Sequence, residues 1–215
     1  MSIEIPLWLS LAATSAGALQ GAVIGRSTRA GLDVIGMLAL AVAIGFGGGL
    51  ARDVLIGDLP PTALRTPWAV IAVLSATLLV LALGRFVVRF ASTLVILDAA
   101  TLGLWAAVGS ESAVQAGLPD VAAVLVGTVA SVGGGVIASL LMMEKPMVVQ
   151  PGPPYALAAI AGATAYVLLD ELGAGPALVA CVVIVSGVRI WTWRAGINTR
   201  AVALRPGHDL RDQEP

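Results

Sequence analysis

Two glycine triplets, Gly47-Gly48-Gly49 and Gly133-Gly134-Gly135, each lie inside an apolar run and are where residue type and spacing first point to chemistry. Each glycine weakens a helix by about 1 kcal/mol relative to alanine. Where such a helix bends, backbone carbonyls can leave their ladder, which a membrane tolerates only if protein or water satisfies them. Freed carbonyls and half-helix C-terminal ends attract cations. Two such turns facing each other would line a cation pathway. A close helix crossing would explain one glycine pair, but it is the weaker account of a triplet that occurs twice. Ionisable and hydroxyl groups stand near the triplets: Arg52-Asp53 after the first, Ser131 and Ser139 around the second, and Asp98 and Thr101 in another apolar run. Asp98 lies about nine residues past Arg89, roughly 13 Å deep at about 1.5 Å per residue, and ionisable groups at such depth default to function. The six triplet glycines, Ser131, Ser139 and Asp98 are therefore the candidate ion pathway. Arg52 and Asp53 are the candidate gating pair, with Arg52 neutralised by Asp53 or Asp98. The plainer alternatives are an Arg52–Asp53 pair near a helix end and serine hydroxyls back-bonded within their own helices.

The elements that must position these residues are membrane spans. The chain is 58% hydrophobic and 12% charged, against roughly 25% charged in an ordinary soluble domain. Apolar runs of about 20 residues predict seven helices: 6–25, 32–55, 68–83, 90–108, 119–143, 155–169 and 176–193. Proline- and glycine-rich stretches such as Pro60-Pro61 and Pro151-Gly152-Pro153-Pro154 punctuate them. The first run opens with Glu4 and lacks a basic leader, so it reads as a retained span. Cys181 is the only cysteine and His208 the only histidine, which leaves no disulfide framework and no histidine-based metal or catalytic site. The expectation is a protein that is not an enzyme, has no cofactor and does not bind nucleic acid.

The triplets stand 86 positions apart (133 − 47), and that offset holds without a gap around them. Ala30-Gly31-Leu32 matches Ala116-Gly117-Leu118, Leu55 matches Leu141, Asp58 matches Glu144 and Pro60 matches Pro146. The chain divides accordingly into a first three-helix repeat (1–84), a second (85–172), a seventh transmembrane helix (173–194) and a polar tail (195–215). Arg26, Arg29, Arg85, Arg89, Lys145 and the basic C-terminal end fall on one side of the predicted spans. Glu111, Asp120, Asp170 and Glu171 fall on the other, joined only by Arg52 and Arg65. The positive-inside rule then places the N-terminus outside and the C-terminus in the cytoplasm. An odd number of helices per copy inverts the second copy, which puts a solute site near the midplane between the copies. The fold class is an all-α integral membrane protein with an inverted 3+3 repeat plus a seventh helix.

The segment 45–60 (GFGGGLARDVLIGDLP) resembles the signature of the trimeric intracellular cation (TRIC) channel family and its prokaryotic members, and 133–146 and Leu97-Asp98 resemble it as well. The likeness covers about residues 5 to 190. It implies a homotrimer in the cell inner membrane with one potassium-permeable pore inside each subunit, lined by bent second and fifth helices that carry the two triplets. Monovalent cations, K+ or Na+, would be the permeant ions, and membrane lipids the other partners. The chain departs from the pattern at Ala138-Ser139, where many relatives repeat Arg-Asp. The alternative reading is a secondary transporter of a small amino acid such as glycine, as some relatives are thought to be.

Overall fold

The computed structural model describes residues 7–28, 31–87, 91–152 and 154–199, without the side chains of 84–87 and 91–93. Glu4, Arg29, Arg89, His208 and the tail from Arg200 onward lie outside the described residues, as does the side chain of Arg85. The elements are helical: α1 (Leu7–Ser27), α2 (Val34–Ile56), a one-turn α3 (Thr62–Arg65), α4 (Pro67–Val87), α5 (Ala91–Gln115), α6 (Asp120–Leu141), α7 (Tyr155–Leu169) and α8 (Ala174–Ala195). Among the described residues six helices are long and apolar enough to cross a bilayer, and the apolar stretch of α4, Pro67–Leu83, is shorter. Large apolar side chains such as Ile35, Val121 and Leu168 stand exposed on outward faces, as lipid-facing residues do.

Local sequence sets the ends of the helices. The Asp33 carboxylate caps α2 by accepting from the Gly36 amide at 2.8 Å, which satisfies one of the free N–H groups of the first turn. Gly57, in the left-handed region at φ 75°, ends the same helix. The predicted fourth span, 90–108, is too short: α5 runs on to Gln115 and stops before Gly117, at φ 74°. Glu111, predicted in a loop, is buried within the last turns of α5, where it accepts from the Gln115 side-chain amide. Nothing in Gly109-Ser110-Glu111-Ser112 forbids helix, and burial overrides its polarity.

Small residues decide how the helices meet. Gly17, Gly21 and Gly25 line one face of α1 at four-residue spacing. A methyl on Gly21 would come within 2.3 Å of the Leu40 carbonyl oxygen of α2. Gly127 of α6 is as tightly covered by Ser110 of α5, and Gly162 of α7 by Val185 of α8. Where lipid is as apolar as the protein interior, such backbone approach is the main source of packing energy. α1 packs on α2, α5 on α6 and on α8, α7 on α8, and α2 crosses α6. That last crossing carries the site.

Candidate functional site

Both triplets sit at the α2–α6 crossing, within uninterrupted α-helix. A methyl on Gly47 would fall 2.6 Å from the Gly134 Cα, and one on Gly134 would fall 2.6 Å from the Ile44 carbonyl oxygen. One on Gly48 would meet the Ala130 carbonyl oxygen at 2.5 Å. The expectation that backbone leaves the helix at these turns is not met. The glycines bring two backbones into contact, the close-crossing reading that the repeat had seemed to outweigh. Gly133 faces Ala51 more loosely, at 3.3 Å from a methyl placed there, and Gly135 faces the Tyr155 hydroxyl at 3.4 Å.

Two buried charge clusters flank this crossing. In the first, Arg52 and Asp53 are 1% and 0% exposed. Arg52 Nε donates to Asp53 Oδ1 at 2.7 Å, and Arg52 Nη2 stands 2.6 Å from the same oxygen. The loop after α2 closes over the pair: Arg52 Nη2 donates to Thr62 Oγ1 at 3.1 Å, and the Thr62 amide donates to Asp53 Oδ2 at 2.6 Å. The Arg52 guanidinium also lies 5.9 Å from the centroid of the Trp105 ring, within cation–π range.

The second cluster is built on Asp98, and its partner is not Arg52. Arg189 of α8 donates to Asp98 Oδ2 through Nε at 3.1 Å and Nη2 at 2.5 Å. Gln20 of α1 donates to Oδ1 at 2.9 Å, and the Tyr155 hydroxyl of α7 donates to the same oxygen at 3.4 Å. In the sequence Arg189 belongs to the basic C-terminal end that sets the orientation, and neither it nor Gln20, Tyr155, Thr62 or Trp105 is among the candidate site residues. The missed signal for Arg189 was its own depth, since a buried guanidinium inside an apolar helix requires a carboxylate. Gln20, alone in an apolar helix, was legible on the same ground.

Cavities run between the clusters. A cavity of about 210 Å³ borders Asp98, Gln20, Tyr155, Gly135 and Ser139, with Glu144 and Lys145 also on its wall. It shares Gln20, Ile44, Gly135 and Tyr155 with a central cavity of about 10 Å³, which Thr101, Ser131, Gly134 and Trp105 also line. Beyond Trp105 lie cavities of about 20 and 50 Å³ on the Arg52 side. Ser131 and Ser139 back-bond to the carbonyls of Thr128 (2.7 Å) and Gly135 (2.9 Å), as the plainer reading had it, and both still border cavities. Gly49 borders the 20 Å³ cavity, and Gly47, at the crossing itself, borders an apolar groove between α2 and α6. Among the described residues no group of histidine, cysteine or acidic side chains could hold a metal ion.

Comparison with known proteins gives this arrangement a family. A family model described as "Glycine transporter" matches residues 7–85 and 95–171. A UPF0126 membrane protein of Deinococcus radiodurans is 39% identical over 163 residues, 75% of each chain. Among solved structures, one concerned with conductance through TRIC cation channels superposes with a TM-score of 0.80 at 27% identity, covering 94% of this chain and 98% of the other. The TRIC trimeric intracellular cation channel orthologue from Rhodobacter sphaeroides gives a TM-score of 0.80 at 28% identity, covering 89% and 98%.

Proposed function

This chain belongs to the glycine transporter family of UPF0126 membrane proteins and is a prokaryotic member of the TRIC family, and from that premise we propose that it is a monovalent cation channel, conducting potassium through a path inside each subunit of a homotrimer. The observation that carries the reading is the file of cavities between Arg52–Asp53 and Asp98, which passes the α2–α6 crossing within one chain. Both carboxylates lie on that file, each neutralised by its own arginine. Between those two pairs an ion meets polar groups without meeting an uncompensated charge, which at low dielectric would repel or trap it.

In this reading the protein is multi-pass, with α4 completing seven spans and the repeats at 1–84 and 85–172 inverted about the α2–α6 crossing. The helix 173–194 follows them, and the tail 195–215 is cytoplasmic. The basic-residue asymmetry supports an N-terminus outside, with the Arg52 cluster toward that face, in the cell inner membrane. Exposed apolar faces meet membrane lipids and the neighbouring subunits. K+ or Na+ is the permeant species, and the path needs no cofactor. The reading of the two triplets is revised to a crossing that holds the path's walls together.

A second reading is secondary transport of a small amino acid such as glycine. It is favoured by the family description and by the one large cavity at the Asp98 end opposed by small ones at the Arg52 end. Purified protein in a planar bilayer decides between them. Unitary current steps that reverse at the potassium equilibrium potential support the channel. Silence in the bilayer with saturable, gradient-driven glycine uptake in proteoliposomes would establish the transporter.

A further inference from the structure

The cavities on the two sides do not join, and one side chain stands between them. Trp105 lines both the 20 Å³ cavity on the Arg52 side and the central 10 Å³ cavity, and no other described residue borders both. Its ring is seated on the first triplet. A methyl on Gly48 would lie 2.8 Å from Trp105 Cδ2, and one on Gly49 would lie 2.9 Å from Trp105 Cη2. Gly48 and Gly49 therefore do more than admit α6: they leave room for an indole between α2 and α5.

The chemistry of that seat argues against simple filling. Trp105 Nε1 is buried and donates to no acceptor among the described residues, so the desolvation cost of its N–H is left uncompensated. A phenylalanine or leucine would pack the site without that cost. One turn earlier on α5, the Thr101 hydroxyl is also buried without a partner and lines the central cavity. About 10 Å³ is at the lower limit for a single water. The narrowest part of the file thus has stranded polar groups on one wall and an aromatic ring at its end.

We propose that Trp105 is the barrier of the pathway, and that its ring, by leaving the Gly48–Gly49 seat, joins the Arg52-side cavity to the Asp98-side cavities. Its size sets the closure, and its π face borders the Arg52 side, where the guanidinium already lies. The inference rests on the cavity file being the path for solute, whether ion or amino acid.

The test is sided access to a thiol. The native thiol of Cys181 is buried, so a Cys181→Ala background leaves Thr101→Cys as the reporter in the central cavity. Silver ion, a thiol-reactive monovalent cation close to potassium in size, is applied to right-side-out or inverted vesicles. Protein is then denatured, and free thiol is counted with a maleimide. With Trp105 in place, Thr101→Cys reacts from the Asp98 side only. Adding Trp105→Ala opens it from the Arg52 side, with a rate rise of at least about tenfold, a barrier change of roughly 1.4 kcal/mol. If the alanine variant does not fold, Trp105→Leu carries the same expectation with a smaller rise. Equal entry from both sides before substitution, or protection that survives it, overturns the assignment. Because labelling needs no current, a silent wild-type protein with the expected labelling defeats the channel reading and leaves the barrier standing.

Discussion

The Arg52 and Asp98 clusters are built from the same parts, a buried arginine, a buried carboxylate and an aromatic ring, yet they are held in opposite ways. Arg52 and Asp53 are neighbours in sequence, and their third partner, Thr62, comes from the adjoining loop. Asp98 and Arg189 are 91 positions apart, and with Gln20 and Tyr155 they tie α5 to α8, α1 and α7. The first cluster is sealed between cavities of about 20 and 50 Å³, while the second borders one of about 210 Å³. The comparison teaches that positions matched at the 86-residue offset can carry unmatched chemistry. At the repeat positions equivalent to Arg52-Asp53 stand Ala138-Ser139, and opposite Asp98 stands Ala12. One half keeps its charges in a short latch. The other takes its arginine from α8, far along the chain.

The sharpest way to break this contrast is to remove one member of the long-range pair. Arg189→Ala leaves Asp98 buried and uncompensated, an effect of about 3–5 kcal/mol. It should lower the thermal midpoint in detergent, followed by size-exclusion of heated samples. Combining it with Asp98→Asn should restore much of the loss, and failure to do so would mean that the two do not act as a pair.

Next in size is the crossing between the clusters. Gly134→Leu drives a side chain into the Ile44 backbone and should cost at least the 1–3 kcal/mol of ordinary overpacking, with loss of ion flux. Gly187→Ala, where nothing lies within 4 Å, is the control and should leave flux and melting unchanged. Equal behaviour of the two variants in a liposome flux assay would show that the crossing is slack.

A cycle across the clusters then asks whether they are independent. Arg52→Ala and Asp98→Asn share no partner, so their effects on stability should add within about 0.3–0.5 kcal/mol. Arg52→Ala with Asp53→Asn should depart from additivity by more than that. Coupling between Arg52 and Asp98 would revive the pairing that the sequence suggested. The smallest effect belongs to the exposed bridge between Arg65 and Asp58, 2.6 Å long beside the first cluster. Asp58→Asn should change the melting midpoint by no more than about 1 kcal/mol allows. A larger loss would mean that the latch extends beyond Thr62.

The sequence by itself determined the class and most of the scaffold. Long apolar runs fix helices in a chain with so few charges, because no water is available to satisfy any other backbone. The matched triplets marked where α2 and α6 meet, but as bent helices facing a path, and not as the close crossing they form. Arg52–Asp53 was legible because adjacent residues at a helix end need no fold to find each other. The tertiary structure alone decided the rest. Which carboxylate meets which arginine depends on helix rotation and on how α8 docks, and Asp98 found Arg189 rather than Arg52 because α5 packs on α8. The same holds for the triplets. A run of glycine permits a bend, a crossing or a seat for a ring, and only the neighbours that fill the missing side-chain space, here Gly134, Ile44 and Trp105, select among them.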